Sequence, residues 1–319
     1  LGREARIVQA AGIAHAREQA PRVFLADRGD EVVAQRRQRR ARTGTGRWPA
    51  RRAGPRARRG AGMSLRVDIV GNGPPLVLLH GWAMHGGIFA PLLDALRDTR
   101  TLHIVDLPGH GHNRDCGVPL TLSNCADAVL DAVPEAPWCG WSLGGLIALH
   151  AASRFPQCIP ALAMLCATPK FVVADDWPQG MPKQVFEGFA SGLREDWRGT
   201  IDRFIALEAF GSDHMREELK MLRDAVLERG EPATHVLAEG LQVLERSDLR
   251  DLLPALAQPS LWVAGRRDRL VNPSAMQASA AIAPDARYVQ VEHAGHAPFL
   301  THADEVAAAL LHFLAEARA

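Results

Sequence analysis

Several things are missing from this sequence, and each closes off a class of protein. No apolar run reaches the roughly 18 residues that a membrane-spanning helix needs, although 47% of the 319 residues are hydrophobic. No internal repeat recurs, which sets aside solenoids and propellers. No Cys-x-x-Cys pair occurs: Cys116, Cys125, Cys139, Cys158 and Cys166 are odd in number, and none stands at metal-ligand spacing. The opening residues also lack the apolar core of a secretory signal. Reduced thiols in a cytoplasmic protein, without a disulfide or a bound metal, are the expectation.

Lysine is absent from the first 62 residues, which carry 16 Arg and 5 acids, while the remainder holds 21 basic and 31 acidic side chains. The formal net charge of +1 hides that division. Runs such as Arg36-Arg37-Gln38-Arg39-Arg40 would suit a nucleic-acid arm or a targeting peptide. Against this, the basic stretch gives way abruptly to Met63, and residues 65–70 alternate as a first strand. Residues 1–62 are therefore expected to be upstream sequence ahead of a true start at Met63. They should be disordered, because they bury too little apolar surface to offset chain entropy, and no nucleic-acid partner is expected.

From Met63 the pattern alternates strand and helix. Residues 76–79, 101–105, 138–139 and 161–166 read as short strands, with helices over 88–96, 123–133 and 146–154. The rhythm then breaks. Residues 171–247 hold amphipathic helices at 183–193, 200–210, 215–229 and 234–244, with no convincing strand between them. Strands resume at 260–264 and 287–291, and a last helix spans 305–315. This alternation predicts an α/β fold with a mostly parallel central sheet flanked by helices. The core comprises residues 63–170 and 248–319, and a helical cap is inserted at 171–247.

One turn carries chemistry. Gly140-Trp141-Ser142-Leu143-Gly144 matches G-x-S-x-G between an apolar strand and a small-residue helix. A serine placed on such a sharp turn projects its hydroxyl from the sheet edge, and only glycines two residues either side leave room for the crossing. The following helix points its N-terminus at the site and favours negative charge there. His80-Gly81-Trp82 follows a buried strand, where the backbone N–H of Trp82 can join that of Leu143 as an oxyanion hole. His80 itself reads as a loop anchor. Asp268 lies just past the strand 260–264 and is favoured as the acid that orients the base. Asp106, in Asp-Leu-Pro-Gly-His-Gly, is the rival. His296, in the loop after the last strand, is favoured over His293 as general base. The order Ser142, Asp268, His296 suits nucleophilic acyl transfer, which requires no metal or organic cofactor.

These residues also carry a likeness. His80-Gly81-Trp82, Gly140-Trp141-Ser142-Leu143-Gly144-Gly145, Arg203-Phe204-Ile205-Ala206-Leu207 and His293-Ala294-Gly295-His296-Ala297-Pro298-Phe299 together resemble the pimeloyl-[acyl-carrier protein] methyl ester esterases. These are carboxylesterases of biotin biosynthesis with the α/β-hydrolase fold. The resemblance runs from about Leu65 to the C-terminus and leaves residues 1–62 uncovered. It implies demethylation of a pimeloyl chain on acyl carrier protein, with release of methanol. It also implies that Trp82, Leu143 and Phe204 line the acyl slot, while Arg203, Arg216 and Lys220 meet the acidic carrier. The residues alone support the last point only in part. Arg203, Arg216, Lys220 and Arg223 put positive charge on an otherwise acidic domain, yet Glu217, Glu218 and Asp224 would balance it as an ordinary solvated face. Gly199 and Glu208 depart from the family pattern, where Arg and Gln are expected. One lost cation and one added anion would weaken carrier binding, with Arg198 available to compensate. A broad-specificity carboxylesterase, or another serine hydrolase acting on small free esters, is the alternative. A cytoplasmic monomer that does not engage membranes is expected in either case.

Overall fold

Short runs that are apolar almost throughout cannot remain at a surface, and they form strands buried on both faces. The computed structural model describes residues 65–317, so the expectation for residues 1–62 lies outside the described residues. β2 (Pro75–Leu79), β3 (Thr101–Val105), β4 (Trp138–Trp141), β5 (Leu162–Leu165) and β6 (Ser260–Gly265) make the interior of a seven-stranded sheet. β1 (Val67–Gly71) and β7 (Ala286–Val291) form its edges in the order β1-β3-β2-β4-β5-β6-β7. Only β1 runs antiparallel, pairing Val67 with Val105. The expected mostly parallel sheet is what forms.

The strand order places the site. After β2 the chain steps to one side to make β3, and after β4 it steps to the other to make β5. β2 and β4 are paired neighbours, with Leu79 opposite Gly140. The carboxyl ends of β2 and β4 therefore lie at the switch in strand order, the position where open parallel sheets bind ligands. The loop beginning at His80 and the turn at Ser142 both emerge there.

The helices obey local rules. α1 (Ala90–Leu96) takes Pro91 in its first turn, where a missing N–H costs nothing, and a 3-10 turn over Gly86–Phe89 precedes it. α2 (Leu122–Ala132) is capped by Thr121, whose Oγ1 accepts the Asn124 N–H at 3.2 Å. α3 (Leu143–Arg154) starts immediately after Ser142, three residues earlier than its pattern suggests. Between β5 and β6 come α4 (Lys183–Glu195), α5 (Trp197–Ala209), α6 (Met215–Val226) and α7 (Thr234–Arg246), with only isolated bridges at Val172–Met181 and Ala174–Trp177. α6 stops at Val226, short of the expected Arg229; Leu227 is its C-cap, and the turn that follows reaches Gly230 at φ +88°. α8 (Pro273–Ile282) is a helix that the sequence pattern does not announce. It is rich in alanine and has little polar contrast, although Asn272 caps it by accepting the Ser274 N–H at 3.0 Å. α9 (Pro298–Thr301) and α10 (Ala303–Glu316) close the described chain.

Two glycines set up a direct test of this packing. A Cβ on Gly144 would overlap the main-chain carbonyls of Leu79 and His80, whereas exposed Gly188 in α4 has nothing within 4 Å. Gly144→Ala is expected to cost about 1–3 kcal/mol through overpacking. Gly188→Ala is expected to stabilise by about 0.5–1 kcal/mol through helix propensity. Thermal melts that shift both variants in the same direction would contradict this.

Candidate active site

The turn that closes β4 is strained in the way its sequence demands. Ser142 has φ 52° and ψ −117°, a conformation that side chains avoid. Gly140 and Gly144 make it possible, since a Cβ on Gly140 would overlap the carbonyl of Gly144. The strained residue is pinned by its own amide, which donates to Leu165 O at 3.0 Å, while its carbonyl accepts from Gly145 N at 2.9 Å. Leu143 is the first residue of α3, so its N–H has no carbonyl behind it in the helix. The loop after β2 lies directly alongside: a Cβ on Gly81 would stand 3.3 Å from Ser142 Cβ.

His80 braces that loop. Its Nε2 accepts the Leu107 N–H at 2.8 Å, and its Nδ1 lies 2.8 Å from Gly81 O. An imidazole that accepts at one nitrogen and donates at the other is neutral, and burial pushes its pKa down to about 3. It ties the loops after β2 and β3 together and offers no free nitrogen for proton transfer.

The two rival acids part clearly. Asp268 is buried in the turn after β6. Its Oδ1 accepts the N–H groups of Leu270 (2.8 Å) and Val271 (2.9 Å), and its Oδ2 lies 2.8 Å from His296 Nδ1. Asp106 spends its oxygens elsewhere, on the N–H groups of Gly86 (2.7 Å) and His112 (2.8 Å) and on Arg229 (3.1 Å). The rival histidines part as clearly. His293 is exposed and bonds Asp213 at 2.8 Å. His296 is fully buried, and its loop is tied to both neighbours of the site. Its carbonyl accepts Trp141 Nε1–H at 2.8 Å, and its amide donates to Glu208 O at 3.3 Å. Ser142 Oγ and His296 Nε2 are both buried without a hydrogen-bond partner. A serine–histidine bond is thus not formed in this structure, as is common before substrate binds.

The apolar residues gather as well. Trp82, Leu143 and Phe204 are all fully buried. The Trp82 and Phe204 rings meet edge-on at 4.6 Å, and Phe189 packs on Phe204 at 5.3 Å. Trp82 Nε1–H donates to Leu237 O in α7 at 2.8 Å. A Cβ on Gly240 in the same helix would stand 2.7 Å from Trp82 Cδ1 and 3.5 Å from Leu143 Cδ2.

The charged face differs from expectation at three points. Glu208 is not a surface anion: it is fully buried in the last turn of α5, and both its carboxyl oxygens lack partners. Gly199 is occupied with capping, its N–H donating to Asp196 Oδ1 at 2.9 Å, and a side chain there would overlap that carboxylate. Arg198 is paired with Glu231 and stacked over Trp197. Arg203, Arg216 and Lys220 are exposed. Lys220 is bonded to Asp224 at 2.6 Å, and Arg203 bonds only locally, to Thr200 Oγ1 at 2.6 Å. Residues that the pattern did not place at the site, yet lie near it, are Cys166, Glu208 and Glu218. Cys166 has φ 42° and its Sγ lies 3.8 Å from Gly295 O. Glu218 is buried, accepting from Ser212 Oγ (2.7 Å) and Thr301 Oγ1 (2.9 Å). A signal did exist for the two glutamates, since each sits on the apolar stripe of its helix: Ile201, Phe204, Ile205 and Glu208 in α5, and Glu218, Leu222 and Val226 in α6.

Known proteins align with this architecture. Residues 74–303 match the family described as alpha/beta hydrolase fold. Among solved structures, an esterase from Exiguobacterium antarcticum superposes with a TM-score of 0.71 at 21% identity, covering 79% of this chain and 95% of that one. An enol-lactonase from Burkholderia xenovorans superposes with a TM-score of 0.69 at 23% identity, covering 79% and 96%. Likeness at that identity speaks for the fold. Sequence relatives are much nearer. A Stenotrophomonas maltophilia protein named pimeloyl-[acyl-carrier protein] methyl ester esterase is 56% identical over 251 residues, 79% of this chain and 96% of its own length. A Xanthomonas campestris protein of the same name is 54% identical over 251 residues, 79% and 99%. With its strained serine, its buried Asp268–His296 pair and this degree of identity, the chain belongs to the α/β-hydrolase fold family and, within it, to the pimeloyl-[acyl-carrier protein] methyl ester esterases.

Proposed function

We propose that this protein is a serine carboxylesterase of biotin biosynthesis that hydrolyses the methyl ester of pimeloyl-[acyl-carrier protein] to the free acid and methanol. The observation that carries the reading is the buried 2.8 Å Asp268–His296 bond beside a serine whose hydroxyl is left without a partner. In this mechanism His296 Nε2 takes the Ser142 proton as Oγ attacks the ester carbonyl. Asp268 holds the imidazole in the tautomer that leaves Nε2 free and stabilises the imidazolium that forms. The N–H groups of Leu143 and Trp82 receive the oxyanion, the Leu143 donor being reinforced by the N-terminus of α3. His296 returns its proton to the departing methoxide. A water deprotonated by the same nitrogen then attacks the acyl-enzyme and frees the pimeloyl carboxylate.

Trp82, Leu143 and Phe204 are the walls of the acyl slot in this reading, and α4–α7 act as a cap over the sheet edge. Because Ser142 is fully buried, the acyl chain enters by parting the Trp82–Phe204 contact. Arg203 and Arg216, exposed on α5 and α6, are the cations that draw in an acidic carrier protein, with Lys220 beside them.

Substitutions at the site and on the cap test the reading. Ser142→Ala is expected to abolish turnover, and Asp268→Asn to lower kcat by about 10⁴; wild-type turnover in either would refute the assignment. Trp82→Ala is expected to raise KM for the pimeloyl ester about tenfold or more, as befits the loss of about 1.5–3 kcal/mol of buried apolar contact. Combined Arg203→Glu and Arg216→Glu is expected to raise KM for the carrier-bound ester about tenfold at low salt, and less at high salt. Assays of carrier-bound against free methyl ester decide between readings: no advantage from the carrier would favour a broad-specificity esterase.

A further inference from the structure

We propose that Glu208 is a positioning residue for this reaction, a buried carboxylic acid that must keep its proton for the Asp268–His296 pair to work, so that its ionisation switches the site off. The inference rests on the esterase reading above. Glu208 ends α5 on its buried side, and its own carbonyl accepts the His296 amide at 3.3 Å. That carbonyl would also lie 3.3 Å from a Cβ on Gly295. The loop that carries the general base therefore rests directly on this residue.

The two carboxyls differ sharply in the donors around them. Asp268 has three polar partners: the amides of Leu270 and Val271 and the ring of His296. Glu208 has none for either oxygen. When two carboxyls share a dry site, the better-solvated one ionises and the other retains its proton. Burial first, then the charge of Asp268, holds the Glu208 carboxyl well above the ordinary carboxylate range.

The surroundings offer a new charge no relief. Asp268 approaches from the turn after β6 and His296 from the loop after β7. Glu218 faces the same region from α6, where burial raises its carboxyl too, against the hydroxyls of Ser212 and Thr301. The Cys166 thiol at the end of β5 stands beside Asp268, and burial pushes it up as well. His214 flanks Glu218. Among the described residues no lysine or arginine pairs with Glu208. An ionised Glu208 would place a second uncompensated anion beside Asp268. It would favour imidazolium over the neutral base that deprotonates Ser142, and it would loosen the loop that rests on it.

The stability sign follows. A carboxyl raised in the folded state contributes fully below its unfolded value of about 4.5, and that contribution is lost as pH rises through the folded value. Glu208→Gln keeps the shape without the proton equilibrium. The experiment compares pH profiles of kcat/KM on pimeloyl-carrier methyl ester for wild type and E208Q. Melting temperatures across the same range and the infrared band of a protonated buried carboxyl accompany it. The expected wild-type profile has an alkaline limb that falls about tenfold per pH unit, and the E208Q profile stays level where the wild type falls. E208Q should gain in Tm over the wild type as pH rises above about 4.5, and should lack a protonated-carboxyl band that the wild type shows at neutral pH. Superimposable pH profiles, or identical infrared bands, would overturn the proposal. Inactivity of both proteins on the ester at neutral pH would instead sink the esterase reading, and the infrared band and melting gap would then decide the protonation of Glu208 alone.

Discussion

Ser142 can stand where it does only because the chain crosses itself at residues 140–144 with hydrogen atoms in place of two side chains. A backbone at φ 52° stores about 1–3 kcal/mol of strain, and surrounding structure must hold it there. The holding is distributed. The serine amide reaches sideways to Leu165 O in β5, and the indole of Trp141 reaches across to the carbonyl of His296. The buried face of α3 packs down behind the turn. The same crossing brings the free N–H groups of a helix terminus to the serine, so the turn that strains Ser142 also sets unpaired donors beside it. Strain, electrostatics and packing are thus one feature seen from three sides.

Charge is used sparingly in this region. Two further buried carboxyls, Glu208 and Glu218, lie close enough to Asp268 for each to feel it. Only Asp268 has main-chain amides and an imidazole arranged around it. Two charges that cannot be solvated would cost far more than two protons retained. Donor geometry, and not the number of acids present, therefore sets Asp268 apart from its two neighbours. A surface reading of the same acids would have assigned them to partner recognition, which is the opposite role.

Much of this was legible in the residues, and what was not has physical reasons. The parallel strands were readable because they are short apolar runs bounded by turns, and Ser142, Asp268 and His296 stood out because each follows such a run. The antiparallel direction of β1 was not, since alternation reports a strand's faces and not its partner. α8 escaped because Ala and Ser through residues 274–281 give almost no contrast between faces, although its Asn272-Pro273 start was a usable sign. Glu208 was misplaced for a different reason. Its residue type argued for solvent, while its spacing from Phe204 and Ile205 argued for the core, and spacing won. Asp268 could be preferred to Asp106 from sequence because its rival begins a Pro-Gly turn. The hydrogen bonds then separate the two, Asp268 lying on His296 and Asp106 on Gly86, His112 and Arg229.

The apolar contacts explain how fold and selectivity become the same property. Trp82 belongs to the loop after β2, yet its indole N–H is satisfied by Leu237 in α7 and its edge fits against Gly240 of that helix. A glycine inside a helix costs up to about 1 kcal/mol relative to alanine, and close approach to the indole is the physical reason for accepting that cost here. Phe204 completes the wall from α5. On the proposed reading, an acyl chain of adequate length replaces these contacts with its own methylenes, each worth about 0.8 kcal/mol when buried. A short ester cannot, and would have to open the wall without refilling it. Discrimination by chain length then needs no dedicated recognition residue, because the energy that closes the helices over the sheet is the same energy a substrate must match to reach Ser142.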